Sequence, residues 1–204
     1  TDQQRFDTIA ALGNGIIQTP ALDSLVREGT AFTAAYTASP VCMSARCSVV
    51  LGQYPHRTGC NRNNPMPQER TSLMQLLQAA GYQTQGIGKM HFGPDSRALW
   101  GFEARDYSEE CSIAPHDAFY QHLVANGYGH IINPHGVRSE FYYVPQPSQL
   151  PAHLHQSHWI ADRALAFLQT RDRKRPFFLW ASFIKPHPPF ESPTPWHRLY
   201  KPPE

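Results

Sequence analysis

The strongest constraint on the fold is a helical pattern that runs straight into an apolar one, "SHWIADRALAFLQTR" followed by "RPFFLWASF". Trp159, Ile160, Ala164, Leu165, Phe167 and Leu168 recur at helical spacing. The run that follows is apolar at nearly every position, which predicts a parallel strand buried on both faces. The order repeats upstream. In "TSLMQLLQAAGYQTQGIGKMHFG", Thr71 or Ser72 caps a helix carrying Leu73, Leu76 and Leu77, Gly81 ends it, and residues 82–88 are predicted to be a strand. In "TPALDSLVREGTAFTAAY", Thr19 is the N-cap, Pro20 opens the first turn, and Leu22, Leu25 and Val26 share a face. Gly29 stops that helix, and a short strand is predicted over residues 31–36. Helices alternating with apolar strands define an α/β architecture, a mostly parallel sheet flanked by helices, with functional groups in loops beyond the strands' carboxyl ends.

The remaining stretches are less regular. "SARCSVVLG" reads as a helix that begins just after Cys42 and ends at Gly52. Residues 94–150, rich in Gly, Pro, His and Tyr without periodicity, suit a long excursion that shapes a site. The proline-rich residues 186–203 suit a rigid extended loop. With 204 residues, 41% hydrophobic and 12% aromatic, the chain can bury one substantial core, so residues 1–204 read as part of a single α/β domain. Residue 1 falls where the loop after a first strand belongs, and the chain stops in a loop, so both ends read as cut.

The formal charge of +2 includes no block of Lys or Arg, which argues against a nucleic-acid partner. No stretch reaches the roughly 20 apolar residues of a membrane span. The four cysteines are too scattered for a disulfide framework and lack CxxC spacing. The compartment therefore stays open between bacterial cytoplasm and periplasm.

The polar residues at predicted strand ends form pairs: Asp2 with Gln3, Lys89 with His91, Lys185 with His187. Each combines a metal- or anion-ligand type with a proton-transfer type. Cys42 adds a thiol at a helix start, where unpaired N–H groups and the positive end of the dipole favour an anion. Arg46, one turn on, can offer a fork of donors to a sulfate or phosphate ester beside position 42. Taken alone, Cys42 is open to four readings: apolar filler, half-disulfide, metal ligand or nucleophile. Cys47, inside the helix, reads as a buried structural thiol. "GYQTQGIGKM" is not a phosphate-binding loop of the GxxxxGK[ST] kind, because Gln83 and Met90 occupy its Gly and Ser/Thr positions. His153, His155 and His158 lack the HExxH pattern and suit a helix start or loop.

Four of these stretches, in order, resemble the sulfatase family: "TDQQRFD" its opening Asp-Asp-Gln metal motif, "PVCMSARCSVVLGQYPHR" its Cys-x-Pro-Ser-Arg signature, "IGKMHFG" its Gly-Lys-x-His-x-Gly element, and "SFIKPHPPF" its Pro-His-x-Pro segment. Ser44 stands where the family has Pro, Ala45 where Ser is usual, and Leu51 where Thr or Ser precedes the Gly. The resemblance implies an alkaline-phosphatase-like fold, truncated here, and a sulfuric ester hydrolase whose Cys42 is oxidised to formylglycine by a formylglycine-generating enzyme. As its hydrate, residue 42 would attack the sulfur of a small-molecule or glycan sulfate ester. Arg46 would stabilise the hydrate, Lys89 would contact sulfate and nucleophile, and His91 would hydrogen-bond the hydrate. His187 would assist the leaving alcohol, with Lys185 a further substrate-binding candidate. Asp2, Gln3 and residue 42 would ligate a divalent metal, Ca²⁺ first, with Mg²⁺ or Mn²⁺ as alternatives. The family's other metal pair and second active-site Lys would follow residue 204. The same resemblance admits two rivals: a phosphonate monoester or phosphodiester hydrolase, and a non-catalytic binder of sulfated glycans or a protein.

Overall fold

A computed structural model describes residues 1–110 and 114–200; Cys111 and the end of the proline-rich stretch lie outside them. Three parallel strands form the central sheet in the order β2–β1–β4: β1 (Gln83–Gly88), β2 (Ala104–Tyr107) and β4 (Phe177–Ser182). The register places Gly88 beside Tyr107 on one side and beside Ser182 on the other. The three chains therefore leave the sheet together at one carboxyl edge. A two-residue parallel pair, β3 (Gln146–Pro147) with β5 (Glu191–Ser192), ties the later loops together.

Helices cover both faces. On one lie α2 (Cys42–Leu51), the single turn α3 (Pro55–Thr58) and α4 (Leu73–Ala79). There Cys47, Val50, Met74, Met90, Phe92 and Phe102 bury one cluster under Phe178 and Trp180. On the other lie α5 (Ala118–Ala125) and α6 (Gln156–Thr170), where Ile87, Phe119, Leu123, Trp159 and Ile160 bury a second. This is the sheet flanked by helices that the sequence predicts. Ser72, not Thr71, is the cap of α4, in a reciprocal box with Gln75. Gly88 closes β1 at φ +82, and a Cβ there would run into the Ser182 carbonyl. Only glycine fits at this step before Lys89.

Three expectations change. Residues 31–36 form no strand: no neighbour among the described residues offers their backbone a ladder, and Phe32 and Tyr36 are 81% and 92% exposed. The helix before them, α1 (Pro20–Glu28), buries no residue fully: Leu22 and Val26 are half-buried and Leu25 is 68% exposed. Strand β4 is half-buried rather than fully buried: it is the sheet's edge strand among the described residues, and the Asp2–Pro186 bridge lies past its end. The excursion over residues 94–150 contains an edge strand, β2, and a helix, α5, capped by Asp117. The four residues of β2, "ARDY", are too few and too polar to reveal a strand by periodicity.

Candidate active site

The carboxyl edge of the sheet assembles the polar residues. Lys89 follows β1 directly and is fully buried. Asp2 reaches the same place from the N-terminus, its N–H donating to the Phe183 carbonyl at 3.0 Å. The Asp2 carboxylate accepts from Lys89 Nζ at 2.6 Å and lies 3.5 Å from Arg46. Arg46 also donates to the Lys89 carbonyl at 3.1 Å, so α2 is fastened to the end of β1. Burial alone would raise the Asp2 pKa; the Lys89 hydrogen bond and the Lys89, Arg46 and His187 charges outweigh it and hold the pKa below the usual range.

Cys42 is the first residue of α2, and no side chain caps that helix start. The first turn of α2 borders a cleft of about 550 Å³ lined by Asp2, Gln3, Val41, Cys42, Ala45 and His187, among others. An anion in this cleft meets the dipole end of a ten-residue helix. Cys42 Sγ contacts Asn63 Oδ1 at 3.4 Å, a partner from the loop after α3 that carries no sequence signal of its own. Gln3 borders the cleft in a left-handed backbone conformation, φ 59. His91 shares that strained region at φ 51, its N–H and that of Met90 fixed by the Glu109 carboxylate. His91 Nδ1 is buried and has no hydrogen-bond partner among the described residues. Burial, then the Lys89 cation, pushes the His91 pKa down.

Glu110, three residues after β2 ends at Tyr107, is the functional candidate that the sequence did not single out. Its Oε2 lies 3.3 Å from Lys89 Nζ, 3.0 Å from His187 Nδ1 and 3.9 Å from Arg138. Burial would raise its pKa, but the His187 contact and the Lys89 charge prevail and bring it down to about 2. Asp2, Arg46, Lys89, Glu110, His187 and Cys42 thus share one site. Lys185 is not brought to the Cys42 cleft: its Nζ bonds the Pro189 carbonyl at 2.7 Å and lies 3.2 Å from Glu191, bordering a separate cleft of about 820 Å³. His155 also belongs to that second region, capping α6 and meeting Glu191 at 2.8 Å.

Oxygen donors for a hard cation are present in the Asp2 carboxylate and the Gln3 amide. Among the described residues, however, no group of three or more His, Cys, Asp or Glu is arranged to hold a metal ion. The donors present supply only part of the coordination shell of about six to eight oxygens that Ca²⁺ takes.

A parallel α/β sheet flanked by helices, with an uncapped helix start and a Lys–carboxylate–His cluster at its carboxyl edge, has the architecture of alkaline-phosphatase-like folds. The sulfatase family model matches residues 1–202, and the chain belongs to that family. It is 32% identical over 225 residues to an arylsulfatase of Clostridium perfringens, covering 98% of this chain and 44% of that protein. It is 30% identical to the multifunctional alkaline phosphatase superfamily protein PehA of Trinickia caryophylli, covering 98% and 43%. The fold is similar to a crystal structure of the phosphonate monoester hydrolase of Agrobacterium radiobacter, with a TM-score of 0.79 over 98% of this chain and 42% of that one at 23% identity. The chain thus spans less than half the length of these relatives.

Proposed function

We propose that this chain carries the nucleophile half of a sulfatase active site, which hydrolyses sulfate monoesters at the Cys42 cleft. The observation that carries the reading is Cys42 at the uncapped start of α2, with Arg46, Lys89 and His187 gathered on the carboxylates of Asp2 and Glu110. Converted to formylglycine by a formylglycine-generating enzyme, residue 42 supplies, as its hydrate, an oxygen nucleophile whose second hydroxyl allows the bound sulfate to leave. Arg46 and the α2 N-terminus stabilise the anionic ester oxygens. Lys89, held between Asp2 and Glu110, presents a fixed positive charge to the sulfate and to position 42. His91 takes a hydrogen-bonding role beside residue 42 through its unpartnered ring nitrogen. His187, which borders the cleft, gives a proton to the departing alcohol.

A divalent cation, Ca²⁺ before Mg²⁺ or Mn²⁺, would be held in part by Asp2 and Gln3 and would neutralise ester oxygens. Gln3 favours a second reading, in which the same cleft acts on phosphonate monoesters or phosphodiesters, because a neutral amide stands where an acidic ligand is usual. Turnover of an aryl sulfate and of an aryl phosphonate ester by the full-length protein separates the two. A higher kcat/KM for the sulfate supports the leading reading; a clear preference for the phosphonate replaces it, and binding without turnover of either supports a non-catalytic binder.

A further inference from the structure

We infer that Glu110 is a positioning residue that orients His187 and Lys89 for departure of the leaving group, an inference that rests on the proposed hydrolase function. The register of the sheet explains why it can. Strands β1 and β2 run parallel with Gly88 beside Tyr107, so the segments 89–91 and 108–110 leave the sheet side by side. Glu109 then fixes the backbone of the β1 loop through the Met90 and His91 N–H groups, at 3.0 and 2.9 Å. Glu110 fixes side chains: its Oε2 meets Lys89 Nζ and His187 Nδ1, and Arg138 stands behind it at 3.9 Å.

The orientation of His187 follows from its acceptors. Nδ1 faces two oxygens: the Pro188 carbonyl, its hydrogen-bond partner at 2.7 Å, and Glu110 Oε2, an ion-pair contact at 3.0 Å. A nitrogen between two acceptors carries the hydrogen, and the opposite nitrogen, Nε2, is left for the substrate side of the ring. In the transfer step, a proton on Nε2 passes to the alcohol oxygen as its bond to sulfur breaks and the bonding pair stays with that oxygen. The ring left behind is neutral, with its hydrogen still on Nδ1. Glu110 stays ionised through this step, its carboxyl held at about 2 by the His187 and Lys89 contacts against the opposing effect of burial. Lys89 is thereby gripped on both sides, by Asp2 at 2.6 Å and Glu110 at 3.3 Å.

A merely structural Glu110 would lower turnover of every substrate equally, so the test varies the leaving group. In the full-length protein, Glu110→Gln is compared with wild type on a series of aryl esters from 4-nitrophenyl to unsubstituted phenyl, as sulfates and as phosphonates. The expected loss in kcat is under about tenfold for the nitrophenyl ester and about 10²-fold for the phenyl ester, because general-acid help matters most for a basic leaving group. Glu110→Asp should recover part of the phenyl-ester rate. A loss that is equal across the series, or no loss, overturns the inference. Turnover of phosphonates alone would defeat the sulfatase reading and leave this comparison valid. If neither ester is turned over, the ¹⁵N spectrum of His187 decides: a hydrogen on Nδ1, in the neutral ring or in the doubly protonated one, supports the inference, and a neutral ring protonated only on Nε2 contradicts it.

Discussion

Two buried polar clusters adjoin the segment that carries Lys185 and His187. Asp2, Lys89, Glu110 and His187 form one, and His135, His155, Lys185 and Glu191 form the other. Both place cations around carboxylates, and both border a cleft. The second cleft is the larger, about 820 Å³ against about 550 Å³. The first contains what the second lacks: a candidate nucleophile at an uncapped helix start. In the second, the N-terminus of α6 is closed by its own cap, since His155 Nδ1 accepts from the Ser157 N–H while Nε2 meets Glu191. Lys185 is similarly consumed, donating to the His135 and Pro189 carbonyls. Charge and concavity alone do not distinguish a reactive site from a structural one, since both clusters spend polar groups on one another; what separates them is the thiol at an uncapped helix start that borders the first cleft.

This contrast can be broken by mutation. Cys42→Ala removes the nucleophile of a half-buried residue without opening the core, and kcat should fall by about 10⁴ or more with the melting temperature little changed. Residual turnover near wild type would move the chemistry elsewhere. Arg46→Ala takes away one stabilising cation, and a kcat loss of about 10²–10³ is expected in steady-state assays.

Glu191→Gln addresses the second cluster. It leaves Lys185 and His155 without their carboxylate, and denaturant unfolding should show a loss of about 3 kcal/mol, while kcat per folded molecule stays at the wild-type value. Burial would raise the Glu191 pKa, but His155 and Lys185 bring it from its ordinary 4.5 down to about 2. A depressed carboxylate contributes stability above the unfolded-state value and loses it as pH falls toward the folded one. The wild type should therefore lose this contribution between about pH 5 and pH 2, and the Gln variant should lack that part of the acid titration. The smallest effect is expected for Lys185→Gln, about 1–2 kcal/mol of stability with KM unchanged. A raised KM would return Lys185 to the substrate-binding role its place in the sequence suggests.

The legible part of the site is the part fixed by local pattern. Cys42 and Arg46 follow from one helix turn, and Lys89 and His187 from strand ends that the sheet aligns. Asp2 reaches them as a continuation of the sheet edge. Glu110, Arg138 and Asn63 were not legible, because each comes from a stretch without periodicity and is placed by tertiary path alone. The strand expected over residues 31–36 failed for the complementary reason: apolar content favours a strand only where a neighbour supplies its hydrogen bonds. Strand β2 shows the converse, a polar segment made into a strand by the edge of β1 beside it.

Mass spectrometry of the peptide containing residue 42, from a full-length preparation shown to turn over aryl sulfate, tests the central claim most directly. An aldehyde or its hydrate at position 42 in proportion to activity is the predicted result. Unmodified cysteine throughout an active preparation would contradict it.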